Sequence, residues 1–164
     1  MGKDGHDSHR QSLELCAGPE SGTVYARRMS QKMPPQEMFE QGLEKRRAVM
    51  GAEFVDRAFA GGEDAFGADF QRFMTEYAWG AVWGRGGLTD RERHMVTIGI
   101  LAALGREKEL AGHLRATANT GVSERDLSDV LHQVAIYAGV PAALSAVNAT
   151  KEMLAKRHSK EPNK

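Results

Sequence analysis

The chain has 164 residues, 41% hydrophobic and 27% charged, which fits a single domain with a buried core. Lys+Arg and Asp+Glu both total 22, so the net charge is zero with the histidines neutral; that balance gives no electrostatic reason for a nucleic-acid or anionic-membrane partner and favours self-association. The one cysteine, Cys16, excludes an internal disulfide, a CxxC pair and a thiol-ligated metal site.

The opening "MGKDGHDSHRQS" has no apolar signal-sequence core, and no apolar run approaches the roughly 18 residues of a membrane span. Position 6 is His6, where a myristoylated Gly2 would require Ser or Thr. The expectation is a cytoplasmic protein. Residues 1–33 are polar and aperiodic up to the "MPPQ" breaker, so they read as a flexible N-terminal extension. His6 and His9 within it fit solvated tail histidines better than a metal-binding tail.

From residue 34 to 158 the pattern is helical, with 159–164 left as a C-terminal tail. Pro35 opens a helix whose loose apolar stripe is Met38, Leu43, Val49 and Met50. A short helix near 53–59 ends at "GGED". The next runs from Ala65 to Trp83, with Phe66, Phe70, Phe73, Met74, Tyr77 and Trp79 near helical spacing, and stops at "GRGG". Thr89 and Glu92 form a capping box for a helix that is apolar on all sides from Met95 to Leu104, which predicts the most central helix. Gly105 closes it. Another runs from Arg106 to about Thr120 and ends at Gly121; Ser123 caps the one after, with Leu127, Val130, Leu131, Val134 and Ala138 in register. Gly139 and Pro141 introduce the last, expected to fray from Lys151. With no alternating strand pattern, the fold class is all-α, with about six helices.

Three stretches offer chemistry. On the Arg106–Thr120 helix, Arg106, Glu109 and His113 share a face beside the stripe of Leu110, Leu114 and Thr117. A carboxylate one turn before His113 could orient the imidazole and raise its pKa toward an acid–base role; the same spacing fits a surface Glu–His pair. In "EYAWGAVWGRGGL", Glu76, Trp79 and Trp83 share a face, and Arg85 sits in a glycine-rich turn that could present it to a carboxylate. Core packing and a solvated arginine fit equally. In "LHQVAIYAGVP", His132 and Tyr137 precede a sharp Gly-Val-Pro turn, and His132 is either buried and hydrogen-bonded or part of a pocket. No HExxH, paired Glu-x-x-His or P-loop pattern occurs, so no metal or nucleotide phosphate is expected.

Taken together, "FEQGLEKRRAVMGAEFVDRA", "TEYAWGAVWGRGGLTDRERHMVTIGILAALGREKELAGHLRATANTG" and "DVLHQVAIYAGVPAALSA" resemble the carboxymuconolactone decarboxylase family, from about Phe39 to Leu154. The resemblance implies an all-α fold shared with the alkylhydroperoxidase D proteins and a symmetric homo-oligomer, a homotrimer or homohexamer. In those redox relatives the histidine matching His113 follows cysteines seven and four positions earlier, where this chain has Arg106 and Glu109. A thiol–disulfide relay is therefore impossible at this site. Gly86 stands where the family commonly has proline, which loosens the turn that carries Arg85.

The activity implied is decarboxylation of a small unsaturated lactone carrying a ring carboxylate and a carboxymethyl arm, in aromatic-compound catabolism. Such a substrate is its own electron sink, so no cofactor and no metal is called for. The resemblance assigns Arg85 to a substrate carboxylate, His113 to proton donation or oxyanion contact, and Glu76 and Glu109 to orientation or proton shuttling. Trp79, Trp83, Tyr137 and His132 would bind substrate along the pocket wall. The alternatives are a hydrolase of another lactone, a ligand-binding helical oligomer and, last, a redox protein.

Overall fold

The computed structural model describes residues 34–159. The expected extension, with Cys16, His6 and His9, lies outside them, as does the tail from residue 160. Among the described residues every regular element is helical: α1 (Pro35–Met50), α2 (Ala52–Phe59), α3 (Ala68–Met74), a π-helical segment (Thr75–Trp83), α4 (Asp90–Ala103), α5 (Glu107–Thr120), α6 (Glu124–Tyr137) and α7 (Val140–His158). The class is all-α as expected, and the described residues hold seven α-helices where about six were predicted.

Local chemistry sets the boundaries. Thr89 accepts from the Glu92 N–H while the Glu92 carboxylate accepts from the Thr89 N–H, a reciprocal cap for α4. Ser123 and Asp126 do the same for α6. Gly121 takes φ 74° and closes α5 by donating to the Thr117 carbonyl. Each side-chain cap is worth about 1 kcal/mol.

The main core joins Ile98 and Ala102 of α4, Leu110 and Leu114 of α5, Leu127, Leu131 and Val134 of α6, and Ala143, Ala146 and Met153 of α7. Ile98 and Leu114 are completely buried, each contributing about 1.5–3 kcal/mol over exposure. A second cluster, Val49, Trp79 and Trp83, forms where α1 crosses the π-helical segment. The two backbones nearly touch there. A Cβ on Gly42 would lie 2.3 Å from the Thr75 carbonyl oxygen, and one on Gly80 would lie 2.3 Å from that of Met38. Only glycine at both positions permits this approach, which sets α1 against the tryptophans.

Four expectations are corrected. The helix predicted from Ala65 to Trp83 starts at Ala68 and widens into π turns from Thr75, with the Gly84 N–H bonding the Trp79 carbonyl five residues back at 2.8 Å. Its aromatic stripe faces outward: Phe66, Phe70, Phe73 and Tyr77 are exposed, because the side bearing Thr75, Trp79, Gly80 and Trp83 packs on α1. On α4, Ile98 and Ala102 point inward while Val96, Ile100 and Leu104 remain exposed. The last helix continues past Lys151 to His158, held by buried Met153 and by Arg157, whose Nη2 donates to Thr117 Oγ1 at 2.9 Å.

Candidate active site

His113 stands in the middle of α5, half-buried, and its Nδ1 lies 3.1 Å from Nε2 of His94 on α4. His94 is 0% exposed, and its own Nδ1 lies 2.7 Å from the Thr120 hydroxyl. That hydroxyl spends its proton on the Thr117 carbonyl at 3.2 Å, so it accepts from His94 Nδ1–H. A neutral His94 then has a bare Nε2, which accepts from His113 Nδ1–H. The chain of bonds assigns the proton on each ring and leaves His113 Nε2 as an unprotonated acceptor with no protein partner among the described residues.

Both rings are held neutral. Burial lowers the His113 pKa from its ordinary 6.5 to about 4. For His94 the fall, also to about 4, comes from burial first and from the repulsion of His113 second; a backbone hydrogen bond with His113 acts in the opposite direction. The expected rise of the His113 pKa through Glu109 is therefore corrected: Glu109 is exposed and makes no ion pair with His113, and desolvation moves the value down.

Trp79 and Trp83 place aromatic surface beside His113. Their rings stack at 4.9 Å, and the His113 ring lies nearly parallel to both, at 6.5 Å and 6.4 Å. Trp83 meets His94 edge-on at 5.8 Å. Both tryptophans come from the π-helical segment, an irregularity that concentrates at functional sites.

His113 and Trp79 open onto a cleft of about 320 Å³, within the range of small-molecule sites. Met50, Phe54 and Met74 supply apolar lining. Its charged lining is Arg46, Lys108 and Arg115 against Glu109, an excess of positive charge. Arg46 is 5% exposed; its Nη1 donates to Thr75 Oγ1 at 3.0 Å and its Nη2 to Gln71 Oε1 at 2.9 Å. Burial lowers the guanidinium pKa, although from so high a value that the group stays a cation. Among the described residues, no group of three or more His, Cys, Asp or Glu side chains is placed to hold a metal ion.

The structure thus brings His113, Trp79, Trp83 and Glu109 together and places the other predicted site residues elsewhere. Glu76 pairs with Arg72 at 3.0 Å and does not line the cleft. Arg85 is exposed in the turn after the π-helical segment, where its carbonyl accepts from Arg93 Nη2 at 3.3 Å. His132, exposed, donates from Nδ1 to the Ser128 carbonyl at 2.8 Å and lines a separate shallow groove with Val140 and Leu144. Tyr137 is 85% exposed. Two residues were missed, His94 and Arg46. Each carries the same signal: His94 shares the buried stripe of Ile98 and Ala102, and Arg46 that of Gly42 and Val49, so each is a polar side chain on an inward face.

Comparison with known proteins adds three matches. Residues 68–152 match the carboxymuconolactone decarboxylase family. The chain is 42% identical over 121 residues to 4-carboxymuconolactone decarboxylase of Acinetobacter baylyi, covering 74% of this chain and 90% of that protein. It is 32% identical over 117 residues to nitrosuccinic acid decarboxylase of Metarhizium robertsii, covering 71% and 81% respectively.

Proposed function

We infer this protein's reaction from one premise: the chain belongs to the carboxymuconolactone decarboxylase family. It is a carboxy-lyase that converts 4-carboxymuconolactone to the beta-ketoadipate enol-lactone, without a cofactor, in the catabolism of aromatic compounds. The relative from Acinetobacter baylyi supports the substrate. The observation that carries the reading is His113, bonded through Nδ1 to buried His94, on an aromatic-lined cleft whose charged groups are mostly cations.

The chemistry follows from the substrate and these groups. The bond from the ring carbon to its carboxylate breaks, CO₂ leaves, and the electron pair moves through the ring double bond onto the lactone carbonyl oxygen. A proton then joins the carbon next to that carbonyl, and the ring double bond has shifted. Substrate anions beside His113 raise the imidazole's pKa against the effect of burial, so Nε2 takes up the proton with the substrate and delivers it to carbon. His94 and Thr120 fix the ring for that transfer. Trp79, stacked on Trp83, gives the departing carboxylate an apolar surrounding that favours neutral CO₂. Glu109 stands at the rim as a proton shuttle to solvent.

The working unit is the helical domain, residues 34–158, between the extension and the tail. It self-associates as a homotrimer or homohexamer in the cytoplasm. Exposed Val96, Ile100 and Leu104 on α4 and Ile136, Val140 and Leu144 on α6 and α7 support burial against further copies. No helix of the described residues is long and apolar enough to cross a membrane.

Incubation of chelator-dialysed protein with the lactone tests the reading. CO₂ and enol-lactone appear together at equal amounts; ring opening without CO₂, or unchanged substrate, would overturn it.

A further inference from the structure

Arg46 is a buried cation without a counter-charge. Its hydrogen-bond partners, Thr75 and Gln71, are neutral, as is the Phe59 ring 5.7 Å from its Cζ, and it forms no ion pair among the described residues. Burying an unpaired charge is costly, and a guanidinium has five N–H donors, of which these bonds engage two. The contacts it has instead fix its orientation. Thr75 is itself pinned by donating to the Gln71 carbonyl at 2.8 Å, and Thr75 opens the π-helical segment that carries Trp79. The guanidinium borders the same cleft as His113, with Lys108 and Arg115 adding positive charge. The arrangement is a preformed socket for a carboxylate.

We propose that Arg46 anchors the carboxylate the substrate keeps, and that this makes the cleft select ligands carrying a carboxylate at that position. The assignment to the retained group rests on the decarboxylase reading and follows from its energetics. An arginine paired with the departing carboxylate would stabilise the charged ground state and lose that contact as neutral CO₂ forms, which slows the reaction. One paired with the retained group holds substrate and transition state alike, so it lowers KM and leaves kcat nearly unchanged.

Two probes, succinate and its neutral dimethyl ester, report the site without turnover, titrated by calorimetry into wild type, Arg46→Gln and Arg46→Lys. Wild type should bind the dianion about 10-fold tighter than the diester, a preference that Arg46→Gln largely abolishes and Arg46→Lys keeps in part. On the lactone, Arg46→Gln should raise KM by about 10-fold with kcat within a few-fold. Equal affinity of wild type for the two probes would overturn the proposal, and so would a folded Arg46→Gln protein that retains the preference and the KM. Should Arg46→Gln not fold, the wild-type ratio and Arg46→Lys decide. A wild type that prefers succinate but leaves the lactone intact would refute the decarboxylase reading and, with it, only the assignment to the retained carboxylate. The carboxylate selectivity of Arg46 would stand.

Discussion

Replacing His94 with leucine isolates the function of the histidine pair. The side chain is wholly buried, so an apolar group of similar volume fills the space, and the Thr120 hydroxyl keeps its own acceptor in the Thr117 carbonyl. What is lost is the acceptor for His113 Nδ1–H, 3.1 Å away. Orphaning a buried donor costs about 1–3 kcal/mol, which sets the expected loss of stability. The ring also loses the bond that places its proton on Nδ1, so the Nε2–H tautomer becomes available and the acceptor at the cleft is given up for part of the time. Decarboxylation should slow about 10- to 100-fold, one or two steps of about 1.4 kcal/mol, below the full general acid–base contribution of about 10²–10⁴. Nitrogen-15 NMR of the imidazoles at pH 7 reads the tautomer directly. Wild type should show His113 protonated at Nδ1, and His94→Leu should shift it toward Nε2–H. A wild-type His113 already carrying its proton on Nε2 would refute the hydrogen-bond assignment.

Gly42→Ala forces a methyl to within 2.3 Å of the Thr75 carbonyl at the crossing of α1 and the π-helical segment. The expected cost is about 3 kcal/mol, measured by urea unfolding, with the Trp79–Trp83 fluorescence altered as the helices separate. Stability should also depend on acid. His113 and His94 are neutral in the fold down to about pH 4 but protonate near 6.5 when unfolded, so the unfolded state binds the extra protons between those values. Stability is therefore full above pH 6.5 and falls toward pH 4, by about 3 kcal/mol for the first proton, and His94→Leu should flatten that slope in urea titrations at stepped pH. Ile100→Asp places a charge on an outward α4 position without touching the core; light scattering should show smaller assemblies with the helical circular dichroism retained.

Much of this fold could be read from the sequence because its signals are local. The Thr89–Glu92 box and Gly121 are decided within a few residues, and the buried stripe of Leu110, Leu114 and Thr117 follows from spacing alone. His113 was likewise visible. Its partner was not, since His94 lies 19 residues away on another helix and the pairing depends on how α4 packs on α5. Arg46 was overlooked for a related reason: a lysine- and arginine-rich stretch such as "EKRRAV" suggests a solvated face until the crossing at Gly42 shows which residue turns inward. The Phe66–Tyr77 aromatics show the converse, as helical spacing identifies an apolar face without specifying what covers it. The π turns have no sequence signature comparable to a cap, and they determine where the tryptophans point.

The central claim is that His113 carries the proton of a cofactor-independent decarboxylation. Steady-state assay of 4-carboxymuconolactone with wild type and His113→Ala, following CO₂ and enol-lactone together, addresses it most directly. The wild type should turn over and the folded variant should lose at least about 100-fold in kcat/KM. A folded His113→Ala protein within a few-fold of wild type would contradict the account.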